Sequence, residues 1–338
     1  MSTQTAQRER GARPDAGVNL AAALHDALET ILENDDRAMI MGEDVGSLGG
    51  VFRITSGLKA RFGDHRVVDS PLAEAGLVGT AVGLALNGFR PLVEIQFDGF
   101  IYPALNQLLC HVATMPTRFE MPGLLPMVVR IPVGGRIRAG ELHGESPETY
   151  FVHRAGFRVV SPSSAAVGGA LLRAAAASDD AVIFLEPKRL YRGSTVDRSE
   201  VVDEMALDQA RLVREGDDAV VIAYGPTVDL AEAASDALRE EGIGVAVLDL
   251  VSLQPLDVDA ITQIASRTGR VVTVTEAVRR CSLASEVASL VAESCFDDLK
   301  AAPIVVASEY RPYPTADFED DFFPNQERLT AAIRRVLS

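Results

Sequence analysis

Short apolar runs and amphipathic helical stretches alternate along this chain of 338 residues, and this alternation restricts the possible fold more than any other feature. Asn19 is suited to cap a first helix, because the apolar residues between 20 and 32 recur on one helical face behind it. Helical stretches then separate most of six runs that have the length and composition of buried strands. This pattern is typical of a mainly parallel sheet with helices on both faces. The six runs are residues 38–41, 66–68, 91–97, 127–131, 157–160 and 182–185.

A second, smaller α/β domain is predicted after a polar, acidic stretch over 193–207, which has the character of a linker. Strand-like runs resume beyond the linker, with helical patterns between them. The strands are predicted at 219–224, 245–250, 271–275 and 304–307, and the helices at 228–241, 258–267 and 283–293. The sequence therefore predicts a disordered tail over 1–17, a first domain over 18–192, the linker, and a second domain over 208–338.

Composition excludes several classes of function. The formal net charge of −16 makes nucleic acid and anionic membrane surfaces unfavourable partners. The polar leader lacks the apolar core of a secretory signal, and the longest uncharged apolar run, at 75–86, is too short to span a bilayer. Cys110, Cys281 and Cys295 show no paired spacing, which argues against disulfides and a zinc site and favours the cytoplasm.

Glu74 is the strongest candidate for a functional residue. It lies in a strand-to-helix turn that Pro71 introduces, and the helix that follows has no charged residue as far as Leu86. Gly76 and Gly83 remove side chains from that helix, so another backbone or a flat cofactor can come close. Glu74 is therefore either an ordinary acid in a first helical turn or a functional carboxylate.

Several motifs in the same order resemble one known family. They are Asp-Ser-Pro-Leu-Ala-Glu-Ala-Gly-Leu-Val-Gly at 69–79, Met-Gly-Glu-Asp-Val-Gly at 41–46 and Val-Glu-Ile-Gln-Phe at 93–97. From about residue 20 to 336 the chain resembles the beta subunit of the thiamine-diphosphate-dependent decarboxylating component of 2-oxo acid dehydrogenase complexes. Gly-Gly-Val-Phe-Arg at 49–53 and Phe-Leu-Glu-Pro-Lys-Arg-Leu-Tyr at 184–191 are closer to the branched-chain type than to the pyruvate type.

The resemblance implies a fold and a set of site residues. The first domain would be a transketolase-like pyrimidine-binding domain, and the second would be like the C-terminal domain of transketolase. Glu74 would bind the far ring nitrogen of the aminopyrimidine, with Leu72, Gln96 and Phe100 beside the ring, although Phe100 is equally suited to ordinary core packing. His143, in Glu-Leu-His-Gly-Glu-Ser-Pro-Glu at 141–148, would meet the substrate or the acyl intermediate.

The resemblance also implies a partner. Related enzymes hold the cofactor's diphosphate through magnesium with a Gly-Asp-Gly motif and a downstream Asn, and we find no such pattern here; Gly216-Asp217-Asp218 is the nearest match. An alpha subunit would then carry the diphosphate and magnesium, giving a heterotetramer with two of each chain. A lipoyl acyltransferase would receive the acyl group. A subunit of an acyloin-forming ligase and a non-catalytic assembly subunit of the same fold remain alternatives.

Two further expectations concern ions. Family members can bind structural potassium through backbone carbonyls, and the matching loop here contains Ala175, Ser178 and Asp180. The chain departs from the family pattern before His143, where Arg136 and Arg138 replace small residues. Guanidinium groups bind anions well, so these two arginines are predicted to influence the choice of substrate or acceptor; facing water or the partner subunit is the alternative.

Overall fold

A computed structural model describes residues 17–338 of the chain. The tail predicted over 1–17 therefore lies outside the described residues, apart from Gly17. Twelve strands occur in the described part. They are β1 (Ala38–Gly42), β2 (Val67–Asp69), β3 (Arg90–Glu94), β4 (Val128–Val133), β5 (Arg158–Val160), β6 (Val182–Pro187), β7 (Arg211–Arg214), β8 (Ala219–Ala223), β9 (Val245–Asp249), β10 (Ser252–Gln254), β11 (Val271–Val278) and β12 (Ile304–Ser308).

The α-helices between 17 and 338 range from single turns to fifteen residues. They are α1 (Leu20–Asn34), α2 (Leu58–Phe62), α3 (Glu74–Leu86), α4 (Leu105–Gln107), α5 (Met115–Arg118), α6 (Glu148–Val152), α7 (Ala165–Ala177), α8 (Thr227–Arg239), α9 (Val258–Thr268), α10 (Leu283–Ser294), α11 (Glu319–Phe322) and α12 (Gln326–Leu337). Asn19 caps α1 as predicted, since its side chain accepts a hydrogen bond from the Ala22 N–H at 2.9 Å. None of these helices combines the length and apolar character that a membrane crossing requires.

The strands form two sheets. The first has the order β10-β5-β6-β4-β3-β1-β2 and is parallel except for β10, and the second has the order β12-β11-β8-β9-β7 and is parallel except for β7. The predicted α/β fold with mainly parallel sheets is confirmed. The sequence prediction contained no counterpart of β7 or β10, the two antiparallel edge strands.

Both faces of the first sheet are buried. In β1, Met39 and Met41 belong to the hydrophobic cluster that includes α3, whereas Ile40 belongs to the cluster that includes α1 and α7. This alternation follows from the two-residue period of a strand. The Met39 cluster continues into the second sheet through Val220 and Leu248, so one apolar core joins the two sheets.

Candidate active site

The predicted site residues Glu74 and Gln96, and two acids that were not predicted, follow the ends of three neighbouring strands. Glu43 and Asp44 come directly after β1, Glu74 follows β2, and Gln96 follows β3. Because β3, β1 and β2 are adjacent and parallel, their carboxyl ends meet at one edge of the sheet. The Gln96 Nε2 donates a hydrogen bond to Asp44 Oδ2 at 3.3 Å, which joins two of these turns.

Glu74 is the first residue of α3 and is partly buried. The preceding Ala73 provides no side-chain cap for this helix. Glu74 is the only acidic residue in the first turn of α3. Leu72, two residues earlier, is 81% exposed, and Gly76 and Gly83 are exposed as well. An apolar helix that leaves a small, uncharged face open is suited to close contact with another molecule.

Glu43 is a site residue that the sequence reasoning did not single out. It is 4% exposed, and neither carboxyl oxygen has a hydrogen-bond partner among residues 17–338. Burial, together with the negative charges of Glu74 and Asp44, raises the pKa of Glu43 to about 7. The available sequence signal was an acid placed directly after a fully apolar strand.

His143 lies next to the aromatic residues that follow β3. Its ring centroid is 4.5 Å from that of Phe97 and 5.3 Å from that of Phe100, both in edge-to-face geometry. Its Nδ1 is 3.0 Å from the carbonyl oxygen of Glu141. The structure thus brings His143, from the loop between β4 and α6, against Phe100, which like Gln96 lies in the segment that follows β3.

Comparison with known proteins identifies the family. The profile of the transketolase pyrimidine-binding domain matches residues 16–194, and that of the transketolase C-terminal domain matches residues 208–329. The chain is 43% identical to the pyruvate dehydrogenase E1 component subunit beta of Leifsonia xyli, covering 94% of each chain. It is 40% identical to the 2-oxoisovalerate dehydrogenase subunit beta of Pseudomonas aeruginosa, covering 100% of this chain and 99% of that one.

This chain belongs to the family of E1 beta subunits of 2-oxo acid dehydrogenases. The resemblance predicted from the motifs is confirmed. A further relative, the 3-methyl-2-oxobutanoate dehydrogenase subunit beta of Mycobacterium tuberculosis, is 41% identical over 97% of this chain and 98% of its own. The fold matches a solved structure titled split gene transketolase, inactive beta4 tetramer, with a TM-score of 0.78, 20% identity and coverage of 95% of this chain and 99% of that chain.

In this beta subunit, Arg136 and Arg138 lie against the second domain. The Arg136 Nη2 donates to the carbonyl oxygen of Pro324 at 2.7 Å, and its guanidinium lies 5.5 Å from the Phe323 ring centroid. The Arg138 Nη2 is 3.6 Å from Asp320 Oδ2 and remains largely exposed. Each guanidinium therefore has a protein partner within the chain, and a role in substrate or acceptor choice stays a prediction.

The loop predicted to bind potassium already has a cationic neighbour. The Arg90 Nη1 donates to the carbonyl oxygens of Ser178 at 2.8 Å and of Ala176 at 3.2 Å, and its Nη2 contacts Asp179 Oδ1 at 2.6 Å. One of the three predicted carbonyl ligands, that of Ser178, is thus hydrogen-bonded to a guanidinium. Potassium binding by Ala175, Ser178 and Asp180 stays a prediction.

Proposed function

We propose that this chain is the beta subunit of a branched-chain-type 2-oxo acid dehydrogenase and that it supplies the pyrimidine half of a thiamine diphosphate site. The observation that carries the proposal is the position of Glu74, at the carboxyl edge of the sheet beside the buried Glu43 and the Asp44–Gln96 pair. These residues fit the cofactor. The Glu43 carboxyl has two oxygens without a hydrogen-bond partner among residues 17–338, and the first turn of α3 is open. Together they can receive a ring that carries hydrogen-bonding nitrogens.

The side chains of this chain have distinct tasks in the proposed site. When bound, thiamine diphosphate supplies the electron sink for decarboxylation of a 2-oxo acid. Glu74 holds a ring nitrogen through a proton that it can donate or accept. Glu43, whose pKa of about 7 lies near neutrality, can take up or release a proton beside it.

Gln96, Phe100 and Leu72 complete the proposed contact surface. Gln96 is held by Asp44 and keeps its carbonyl oxygen available as an acceptor, since only its Nε2 is used among residues 17–338. Phe100 and the exposed Leu72 provide apolar surface for a ring. His143, held against Phe97 and Phe100, is the group proposed to meet the substrate or the acyl unit.

An alpha subunit is proposed to bind the diphosphate and magnesium, in an assembly with two copies of each chain. The missing Gly-Asp-Gly and Asn pattern and the open face at Leu72 and α3 support this division. A lipoyl acyltransferase is the proposed acceptor of the acyl group. The branched-chain type is favoured over pyruvate by the motifs at 49–53 and 184–191, while relatives of both types match nearly the whole chain.

The deciding experiment is to co-purify the chain with its alpha partner and assay decarboxylation of 3-methyl-2-oxobutanoate and pyruvate. Glu74→Gln should lower turnover by about 10²-fold or more, because proton transfer through a positioned carboxyl contributes roughly 10²–10⁴-fold. Glu286→Gln is the matched control, since Glu286 also lies in a first helical turn but is exposed on α10. Wild-type turnover by the Glu74→Gln complex would refute the assignment, and a preference for pyruvate would refute the substrate class.

A further inference from the structure

The segment that follows β3 holds the loop bearing His143 on both sides of the histidine. The Gly99 N–H donates to the carbonyl oxygen of Leu142 at 3.1 Å. The Glu145 N–H donates to Asp98 Oδ2 at 2.6 Å. The residue before His143 and the second residue after it are therefore both bound to the same two-residue stretch, 98–99.

Asp98 is itself fixed by a buried cation. Its Oδ1 pairs with the Nζ of Lys188, and the side chains of both residues are fully buried. The Lys188 Nζ also donates to the carbonyl oxygen of Pro132 at 3.1 Å. Pro132 lies in β4 and Lys188 follows β6, so Asp98 is anchored to the ends of two further strands of the first sheet.

The loop needs such an anchor, because its backbone is strained. Leu142 has φ +64°, a value that non-glycine residues adopt only at an energetic cost. Leu142 is also exposed, so side-chain burial does little to hold it. The hydrogen bonds from 98–99 help to keep this turn, and with it the His143 imidazole, against Phe97 and Phe100. The Gly134 N–H, which donates to the Glu145 carbonyl oxygen at 2.8 Å, and the Tyr102 hydroxyl, which donates to Glu145 Oε2 at 2.9 Å, hold the far side of the loop.

We propose that Asp98 is a positioning residue for His143, and that it acts by accepting the Glu145 N–H while Lys188 holds its carboxylate in place. Acceptance of the N–H is the essential interaction, and the charge of the pair serves to anchor the acceptor. The importance of this contact for turnover rests on the proposed function, in which His143 meets the substrate. The contact itself does not depend on that function.

Two double variants separate the acceptor from the charge. Asp98→Asn/Lys188→Met removes both charges but keeps an oxygen for the Glu145 N–H, whereas Asp98→Leu/Lys188→Met removes the oxygen as well at nearly the same volume. The readout is the rate at which diethyl pyrocarbonate modifies His143, followed by peptide mass spectrometry against pH. The chain's other four histidines, His25, His65, His111 and His153, serve as internal references. Measurements use the full chain, alone and in its co-purified complex.

We expect His143 in Asp98→Leu/Lys188→Met to react at least fivefold faster than in wild type, and in Asp98→Asn/Lys188→Met to stay within twofold of wild type. The four reference histidines should not change in either variant. Equal His143 rates in the two variants would overturn the proposal. Ser163→Ala is the stability control, because it removes a buried 2.6 Å hydrogen bond to Asp249 in another part of the molecule and should leave His143 unchanged.

Hydrogen exchange of the wild-type chain gives a second test that needs no variant. The amides of Glu145 and Gly99 should exchange at least tenfold more slowly than those of Ala139 and Gly140 in the same region. Exchange at the rate of Ala139 and Gly140 would overturn the proposal even if neither double variant folds. Both measurements are independent of turnover, so a chain that fails to decarboxylate 2-oxo acids but shows the expected rates would refute the proposed function and leave the positioning contact standing.

Discussion

Glu43 lies buried beside two other carboxylates, and its oxygens find no hydrogen-bond donor among residues 17–338. A carboxyl group in such surroundings is most stable when protonated, because neither burial nor neighbouring negative charge favours ionisation. The free-energy cost of burying the Glu43 carboxyl in the folded chain therefore depends on pH. This cost is tolerated at the proposed cofactor site, where an acid that titrates near neutrality is useful.

The pH dependence of stability has a defined sign for Glu43. Its pKa is about 7 in the folded chain against an ordinary value of 4.5, so the folded state binds the proton more tightly than the unfolded state. Its contribution to stability is therefore present below pH 4.5 and is lost as the pH rises toward 7. We expect Glu43→Gln to stabilise the chain at pH 8 relative to wild type by as much as about 3 kcal/mol, and to do so far less at pH 5.

Urea unfolding of wild type and Glu43→Gln at several pH values measures this difference. The exposed Glu141 provides the control, since Glu141→Gln makes the same chemical change at a carboxyl that is not buried. A Glu43→Gln effect that does not grow with pH would contradict the burial argument.

At the level of elements, Arg130 joins three strands of the first sheet. Its Nη1 contacts Glu94 Oε2 at 2.8 Å, its Nε contacts Glu186 Oε1 at 2.6 Å, and its side chain is fully buried. Burial alone would lower the pKa of Arg130, but the two carboxylates outweigh it and raise that pKa, so the guanidinium stays charged. Tyr191 donates a further hydrogen bond to Glu186 at 2.5 Å.

Removal of Arg130 should be severely destabilising. Arg130→Met leaves two buried carboxylates without their cation, and breaking a buried pair in this way typically costs roughly 3–5 kcal/mol. The triple variant Glu94→Gln/Arg130→Met/Glu186→Gln should recover part of this loss, because no uncompensated charge remains. Chemical unfolding of both variants decides the matter, and a triple variant no more stable than Arg130→Met would count against a charge-based explanation.

The glycines of α3 leave part of the helix backbone exposed. An alanine Cβ at Gly83 would meet no atom within 4 Å outside its own helix in the described part of the chain, so Gly83→Ala should stabilise the isolated chain by roughly 0.5–1 kcal/mol. If another subunit packs on this face, the same methyl group should weaken co-purification with the alpha partner. Thermal unfolding and pull-down measure the two effects. The exposed Ser289 of α10 gives the control, because Ser289→Ala should leave assembly unchanged.

At the scale of the whole molecule, the second half of the chain contributes one strand, β10, to the first sheet. Strand β10 pairs antiparallel with β5, and the hydroxyl of Tyr224 donates to Glu148 Oε1 at 2.6 Å from the other side of the domain boundary. Ser163 and Asp249 form a further buried hydrogen bond between the two halves. These contacts and the shared apolar core predict that the two domains do not separate when the linker is cut.

A protease site inserted between the exposed linker residues Asp203 and Glu204 tests this prediction. After cleavage, the two fragments should co-elute in gel filtration at micromolar concentration and separate only in denaturant. The same cleaved chain with Ser163→Ala and Tyr224→Phe should dissociate more readily, because each change removes a buried hydrogen bond worth roughly 1–3 kcal/mol. Separate elution of the unmodified fragments would show that the interface is too weak to hold the domains.

The fold class, and the candidates for site residues, could be predicted from the sequence because their signals are local. A strand shows its period over a few residues, and Glu74, Gln96, Phe100 and His143 lie in short motifs whose order along the chain is informative. The parallel arrangement of β3, β1 and β2 then places the turns after them at one edge.

Only the tertiary structure decided which groups are buried and which partners they have. The Asp98–Lys188 pair joins residues 90 positions apart, and the contact of Arg136 with Pro324 spans 188 positions. No local pattern encodes such pairs, since they arise when separate strands and domains come together. The acid of Glu43 was visible in the sequence, but the loss of solvent around it, which sets its pKa, exists only once the chain has folded.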